Sequence, residues 1–430
     1  MRCSAVKPAS GKSGSSRKGG CFRPILTSIV GIAAAAVAAG AEQGDLAAAA
    51  RSILGARQGV YVEATDGVTL LAQSADQPVH PASVSKVPTT LALLRKFGPE
   101  HRFITTFAAS GAIHGGTLDG DLSVESDGDP YFVDENALLV VERLNEMGVQ
   151  RVAGTLIVRG ALTFDWQGDP GALRLRAAMS GMAPPAAWAV VREIEAATAN
   201  APARVSLTPP AVQFMDTAAS ANTVAGSPPV ERPLLIHRSQ PLLSLAKSLN
   251  DYSNNIFKPL ADAAGGAAAV ESLARSVVPA AMRSEITLGD GAGTDPSNRL
   301  SPRAAVKLLR ALAQELALTG YALCDILPVA GVDAGTLKDR LNAPEQVGRV
   351  AGKTGTFGDY GASALIGAIP TSDRGIVYFA ILNHGIRVPE ARRRQDRFVR
   401  ALLLRLHSVA WNYQADTRPA VARAEVLSAP

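Results

Sequence analysis

The chain has 430 residues, of which 47% are hydrophobic and 19% are charged, and its formal net charge is +5. This length and composition exclude a disordered or fibrous protein and allow two or three folded domains. Six basic residues and no acidic residue fall within residues 1–41, so the remainder carries 37 basic and 38 acidic residues. The positive charge therefore belongs to the N-terminus and indicates no nucleic-acid partner.

The N-terminal segment has the organisation of an export leader. A basic region is followed by the apolar run ILTSIVGIAAAAVAAGA, which ends in Ala39-Gly40-Ala41. Small residues at this spacing are typical of a cleavage site, so we predict a signal peptide over residues 1–41 and a periplasmic or otherwise exported protein. The alternative is an uncleaved anchor, although the run is shorter than the ~20 residues of a membrane span.

The remaining sequence alternates between helical and strand patterns. Asp66-Gly67 lies between two apolar runs and predicts a β-hairpin. Short alternating strands with Gly/Asp turns follow Phe103, and residues 183–233 are rich in Pro and Ala with little periodicity. Two strands are predicted around a Thr371–Gly375 turn. Helices are predicted at 46–57, 87–98, 241–250 and 389–407.

This order of elements predicts an α+β fold, in which an antiparallel sheet is flanked by helices and a β-rich accessory region is inserted. The predicted sheet domain is discontinuous, because its strands come from both ends of the chain. We expect a mobile tail at the C-terminus, since the sequence there lacks apolar periodicity. The predicted domains are residues 42–98 with 236–410, an insert at 99–235 that looks reduced, and a tail at 411–430.

Ser83 and Lys86 form one of several Ser-x-x-Lys pairs, and the pair alone has little specificity. Other copies begin at Ser15 and Ser244. Ser83 follows Pro81-Ala82 and precedes an apolar helix, so it can face a cleft at the positive end of that helix. Lys86 follows one turn later on the same face, whereas Ser85 falls on another. The alternative for Ser83 is an ordinary N-cap.

Two further motifs follow in a fixed order, and the order carries most of the information. Ser-x-Asn occurs at Ser248 and at Ser253, and Lys353-Thr354-Gly355 follows at the head of a predicted strand. Ser-x-x-Lys, Ser-x-Asn and Lys-Thr-Gly in this order are the signature of penicillin-binding proteins and serine β-lactamases. Gly355 would let a peptide substrate lie against the strand. The alternative is an edge strand protected by a lysine.

Longer segments resemble the D-alanyl-D-alanine carboxypeptidase/endopeptidase branch, the low-molecular-mass class C penicillin-binding proteins. The similarity covers roughly Gln58–Gly160 and Pro233–His384, and it implies a β-lactamase/transpeptidase-like fold. It selects Ser253 and Asn255 over the earlier copy of the second motif. The separation of the first two motifs is shorter than usual in this branch, and Ala292 replaces the usual serine. The segments are FGPEHRFITTF, GDLSVESDGDP, HRSQPLLSLAKSLNDYSNN, LGDGAGTDPSNRLSPRAAVKLL and LPVAGVDAGTLKDRL.

The resemblance implies a mechanism of serine acyl transfer on peptidoglycan peptide stems, with β-lactams as covalent inhibitors. Ser83 is then the nucleophile, a neutral Lys86 its base, and Ser253 a proton relay to the leaving amine. Backbone N–H groups of Ser83 and Thr356 would form the oxyanion hole. The expected substrate-binding residues are Asn255, Lys353, Thr354, Gly355 and Thr356.

Other functions remain open from the sequence. One is a β-lactamase or esterase with the same motifs, and another is a catalytically silent peptidoglycan-binding protein. No cofactor or metal site is predicted, because the six histidines lack ligand spacing. Arginines from Arg392 to Arg405 read as the solvated face of a helix, with weak contact to an anionic membrane surface as the alternative. The oligomeric state does not follow from the sequence.

Overall fold

The computed structural model of the protein describes residues 45–198, 209–216, 230–251, 257–358 and 361–430. The predicted leader therefore lies outside the described residues. The strands are β1 Gly59–Ala64, β2 Thr69–Gln73, β3 Ile104–Ala109, β4 Ile113–His114, β5 Thr117–Leu118, β6 Leu122–Ser126, β7 Arg151–Val152, β8 Leu156–Arg159, β9 Thr163–Phe164, β10 Gln167–Gly168, β11 Gln213–Phe214, β12 Arg232–Arg238, β13 Ile286–Thr287, β14 Arg299–Leu300, β15 Ala351–Phe357, β16 Ala362–Pro370, β17 Ile376–His384 and β18 Glu425–Ser428.

The α-helices are α1 at 45–53, α2 Lys86–Phe97, α3 Asp134–Glu146, α4 Leu173–Ala177, α5 Pro185–Thr198, α6 Leu242–Asp251, α7 Phe257–Ala263, α8 Ala267–Ser276, α9 Pro302–Leu318 and α10 Val388–Arg405. The chain divides into two compact units. The first comprises residues up to Lys96 and Leu249–Ala415, and the second comprises Phe97–Ser248 and Asp416–Pro430.

The first unit is built on an antiparallel sheet in the order β15-β16-β17-β1-β2. Strand residues alternate between its two faces. Val60 and Val62 point to the face covered by α1 and α10, where they join a continuous apolar core with Phe379 and Phe398. The predicted hairpin at Asp66-Gly67 joins β1 to β2 and is confirmed.

The opposite face of the sheet packs against α9. Glu63 on β1 is 1% exposed and accepts hydrogen bonds from Tyr61 and from Lys307 and Arg310 of α9. Two cations and a hydroxyl offset the desolvation of this carboxylate. Both faces of the sheet are thus covered by helices, which confirms the predicted α+β fold with an antiparallel sheet flanked by helices.

The second unit contains a sheet in the order β18-β12-β3-β6-β8 and a smaller one in the order β11-β7-β5-β4. Phe107, Val124 and Phe132 belong to its apolar core, together with Val140 and Leu144 of α3. Helix α3 packs against these sheets, and α4 and α5 add further helical structure to the unit.

Two features of the second unit differ from the sequence expectations. The tail was expected to be mobile, but β18 pairs antiparallel with β12 along four residues. An edge strand is held by backbone hydrogen bonds, so it needs no apolar periodicity, and Leu427 in β18 is in fact exposed. Within the Pro/Ala-rich stretch, α5 forms and buries Trp188 and Val191 against Leu138 of α3. Residues 199–208 and 217–229 of that stretch lie outside the described residues.

Across the described parts of the chain, no helix is both long and apolar enough to cross a membrane.

Candidate active site

Ser83 lies in a short 3₁₀ turn, Ala82–Ser85, that leads directly into α2. Ser83 is 7% exposed, and Val84 N–H donates to the Pro81 carbonyl. Ala82 has φ 49°, a left-handed conformation that is uncommon for a residue with a side chain. Such conformations persist only where neighbouring structure holds them. The contacts of this turn therefore determine where the Ser83 hydroxyl and N–H point.

Two glycines let neighbouring backbone approach this turn. A Cβ added to Gly355 on β15 would lie 2.6 Å from the Pro81 oxygen and 3.2 Å from the Ser83 nitrogen. A Cβ added to Gly293 would lie 2.0 Å from the Ala82 oxygen. The space beside the Gly355 Cα is filled by the turn that carries Ser83, and the expected role of Gly355 beside a peptide substrate stays a prediction. The close approach of the turn is itself a structural need for glycine at this position.

The two motif lysines are buried and both titrate below the usual lysine range. Burial lowers the pKa of Lys86 to about 8, partly opposed by Asp290, and the ammonium lies 4.9 Å from the Phe257 ring centroid. Burial and the charge of Lys86 lower the pKa of Lys353 to about 7, opposed by Asp251. The pocket therefore does not readily hold two ammonium charges at neutral pH.

The substrate side of the site is an open strand edge. β15 is the last strand of its sheet, and Gly352 N–H donates to the Pro328 carbonyl on the side away from β16. Because alternate residues of a strand point their N–H groups to the same side, those of Thr354 and Thr356 face this open edge. An extended peptide can add to such an edge through main-chain hydrogen bonds.

The hydroxyls of β15 are held by residues that the sequence analysis did not single out. Thr354 donates to the Thr336 hydroxyl at 2.7 Å, and Arg392 Nη2 donates to the Thr356 hydroxyl at 2.9 Å. Burial and the nearby Arg340 lower the pKa of Arg392. The sequence does not identify Arg392 as a site residue, because nothing in the arginine-rich pattern of α10 distinguishes it from its solvated neighbours.

His80 is a second residue that the sequence analysis passed over, although it stands in the first motif's own segment. Its ring accepts a hydrogen bond from Ala82 N–H and stacks on Phe357.

The second motif lies outside the described residues, so Ser253 and Asn255 have no structural account. The residues on either side belong to the site. The Asp251 carbonyl accepts from Thr336 N–H, and a Cβ on Gly335 would lie 1.9 Å from that carbonyl oxygen. Phe257, on the other side, lies beneath the Lys86 ammonium.

The structure thus brings together Ser83, Lys86 and the whole Lys353–Thr356 segment. Within the described ranges, no cluster of three or more His, Cys, Asp or Glu side chains has the arrangement of a metal site. The arrangement offers a hydroxyl, a buried amine of lowered pKa and an open strand edge, which together suit acyl transfer on a peptide.

Comparison with known families and structures gives a consistent result. A family model described as the D-Ala-D-Ala carboxypeptidase 3 (S13) family matches residues 42–227 and 212–403. A penicillin G-acylated predatory endopeptidase from Bdellovibrio bacteriovorus, in complex with an immunity protein, superimposes with a TM-score of 0.71 at 22% identity over 86% of this chain and 99% of that chain. A penicillin binding protein 4 from Haemophilus influenzae superimposes with a TM-score of 0.56 at 19% identity over 86% of this chain and 100% of that chain.

Proposed function

The chain belongs to the D-Ala-D-Ala carboxypeptidase 3 (S13) family, and on this premise we propose that Ser83 is its nucleophile and Lys86 its general base. Family membership confirms the predicted enzyme class, a serine-type D-Ala-D-Ala carboxypeptidase or endopeptidase. The observation that carries the residue assignment is the packing of β15 against the Ser83 turn, with two buried lysines of lowered pKa beside it. The first unit is the proposed catalytic domain, and the second an accessory domain.

In the proposed acylation, Ser83 Oγ attacks the carbonyl carbon of the amide between two terminal D-alanines. Neutral Lys86 takes the hydroxyl proton, the C–N bond breaks, and the leaving amine receives a proton, with Ser253 as the proposed relay. Water then attacks the carbonyl carbon of the Ser83 ester while Lys86 takes a proton from that water. The bond between this carbon and Ser83 Oγ breaks, and Lys86 returns the proton to Ser83 Oγ. The products are the shortened peptide acid and free D-alanine in the carboxypeptidase reaction. In the endopeptidase reaction the leaving amine belongs to a cross-linked second stem.

The backbone N–H groups of Ser83 and Thr356 are the proposed oxyanion hole. The direction of the Thr356 N–H along the open edge supports this role, as does the close approach of Gly355 to Ser83 N. Each donor of such a hole contributes about 3–4 kcal/mol to the transition state in related acyl transfers. Asn255 is proposed to bind the substrate amide, on the motif alone.

We infer that the substrate carboxylate adjusts the charges of the two lysines. In the free site, burial lowers the pKa of both lysines, and the charge of Lys86 lowers that of Lys353, so the two side chains disfavour each other's protonation. A carboxylate held by Thr354, Thr356 and Lys353 would raise the pKa of Lys353, and the resulting ammonium would lower that of Lys86. Binding of an acidic substrate would thereby produce the neutral base, and Arg392 beside Thr356 would add a second cation.

Covalent labelling by a fluorescent penicillin tests this proposal. Wild-type protein should form a lasting adduct, and Ser83→Ala should form none. Ser244→Ala is the matched control, because Ser244 and Lys247 form the same Ser-x-x-Lys pair within α6, and its label should persist. Rapid penicillin turnover without a lasting adduct would favour a β-lactamase or esterase. A wild-type protein that neither labels nor hydrolyses would favour a silent peptidoglycan-binding protein.

The location and partners follow from the same chemistry. We propose that the protein acts in the periplasm or an equivalent exported location on peptidoglycan stems, which the basic and apolar leader over residues 1–41 supports. The exposed arginines of α10, Arg397 and Arg400, together with exposed Leu404, support a weak contact with an anionic membrane surface. Co-sedimentation with anionic and with neutral vesicles would measure that contact.

A further inference from the structure

His80 makes two hydrogen bonds that together fix its protonation state. Ala82 N–H donates to His80 Nδ1 at 3.1 Å, and His80 Nε2 lies 3.0 Å from the Asp295 carbonyl oxygen. A backbone N–H can only donate and a carbonyl can only accept, so Nδ1 carries the lone pair and Nε2 carries the hydrogen. This pair of contacts requires a neutral imidazole.

The same ring joins three segments of the site. Its face stacks on Phe357, with ring centroids 3.9 Å apart and planes inclined by 23°. Phe357 directly follows Thr356 on β15, and Asp295 belongs to the loop that carries Gly293. The His80 side chain therefore links the Ser83 turn, the loop that carries Gly293, and β15.

The contact to Ala82 is the one that bears on catalysis. Ala82 holds a left-handed φ, and its peptide unit continues into the N–H of Ser83, the proposed oxyanion donor. On the premise of the proposed function, we propose that His80 is a positioning residue: its Nδ1 holds the Ala82 N–H and so sets the direction of the Ser83 N–H and hydroxyl. Nothing in this role requires His80 to contact the substrate.

Protonation of the ring would break this arrangement. An imidazolium carries hydrogens on both nitrogens, so Nδ1–H would face Ala82 N–H and two donors would repel each other. The charged groups that act on the ring are Asp290, Asp295 and Arg299 of the adjoining loop, while β15 presents the Phe357 ring. Burial lowers the pKa of His80, partly opposed by the Asp295 carbonyl, so the neutral form prevails at neutral pH and the contact is lost in acid.

The test compares three substitutions at this position by their rate of acylation with a fluorescent penicillin. His80→Leu removes both contacts and should lower the rate about 10- to 100-fold. His80→Asn should recover most of that loss, because an Asn oxygen reaches the N–H two residues on, as in an Asx turn. His80→Gln carries the same amide one methylene further out and should recover much less. Thermal unfolding of the three variants shows whether a loss of stability accompanies the loss of rate.

A pH series adds a readout that a merely structural role would not change. Below the pKa of His80, the wild-type rate should fall more steeply than Lys86 protonation alone requires, whereas His80→Asn should keep the shallower slope. His407→Asn is the control, since His407 is exposed with a left-handed φ that asparagine tolerates, and it should behave as wild type.

Three results would overturn the inference. The first is an acylation rate of His80→Leu equal to that of wild type, and the second is equal acylation rates in His80→Asn and His80→Gln. The third is a fall of the acylation rate in acid that is as steep in His80→Asn as in wild type. Failure of the proposed function is a separate outcome, because then wild-type protein itself would form no adduct at Ser83.

Discussion

Arg392 on α10 donates a hydrogen bond to the hydroxyl of Thr356 on β15, with 2.9 Å between Nη2 and Oγ1. A guanidinium beside the proposed carboxylate site has three or more N–H groups left to offer to an anion. Arg392→Ala should raise KM for a peptide ending in a free carboxylate about tenfold, with a smaller change for the same peptide carrying a C-terminal amide. Steady-state kinetics on the two peptides measure the difference.

The control for this prediction is the next residue. Arg393 is exposed and pairs with Glu390 within its own helix, so Arg393→Ala should leave both KM values unchanged. An equal rise in KM for acid and amide peptides in Arg392→Ala would assign Arg392 a role in packing.

The lowered pKa of Lys86 predicts the pH dependence of acylation. The base must be neutral, and its pKa of about 8 means that the neutral fraction falls about tenfold for each pH unit below that value. The second-order rate constant of penicillin acylation, which reports the free site, should therefore rise with pH and level off above 8, as followed by stopped-flow or quenched labelling. A second-order rate constant independent of pH between 6 and 9 would remove Lys86 from the role of base.

The same shift predicts a stability effect with a defined sign. The folded-state pKa of Lys86 lies below its unfolded value of about 10.5, so the unfolded state binds the proton more tightly between pH 8 and 10.5. The free energy of unfolding should rise with pH over that interval and be penalised below pH 8. Lys86→Met should remove up to about 3 kcal/mol of this penalty at pH 6 and abolish the corresponding rise. Denaturant unfolding at pH 6 and pH 9.5 measures both; parallel pH profiles for the two proteins would contradict the prediction.

Gly355→Ala should displace the turn that carries Ser83, the proposed nucleophile. The new methyl group would lie 2.6 Å from the Pro81 oxygen, so either β15 or the Ser83 turn must shift by several tenths of an ångström. Overpacking of this kind costs about 1–3 kcal/mol. We expect a lower melting temperature and at least a tenfold slower penicillin acylation, because the turn moves with Ser83. Gly168→Ala is the control, since no atom lies within 4 Å of the added methyl group and its backbone is not left-handed. Wild-type acylation by Gly355→Ala would show that the turn accommodates the methyl group.

The sequence predicted much of the first unit because local signals agreed with the fold. Asp66-Gly67 and the Thr371–Gly375 turn each mark a hairpin that the structure confirms, and α10 at Val388–Arg405 lies close to the predicted 389–407. The structure also places the motif residues of β15 beside the Ser83 turn. The sequence allowed this to be expected, because the order of the motifs and their flanking glycines carry information that a single Ser-x-x-Lys pair does not.

The remaining features depend on contacts between segments distant in sequence, and local patterns do not encode them. Arg392 resembles every other arginine of α10, and only the tertiary structure brings it to Thr356. His80 resembles an ordinary loop residue in the sequence, and only the tertiary structure brings its ring to the Asp295 carbonyl. Gly355 packs against the Ser83 turn, a contact that its position at the head of a predicted strand does not reveal. The sequence did not predict β18, because this edge strand is held by its backbone pairing with β12 and needs no apolar alternation of its own.

The pairing of β18 with β12 bears on how the protein matures. The second unit begins at Phe97 but takes its edge strand β18 from Glu425–Ser428, and the sheet of the first unit likewise joins β1 to β17. Neither sheet can close before its later strand has been synthesised, since long-range pairing has to wait for its partner strand. A nascent molecule would consequently carry Ser83 without a finished pocket, and competence to react with cell-wall peptides or with penicillin would arise only once these distant strands have paired.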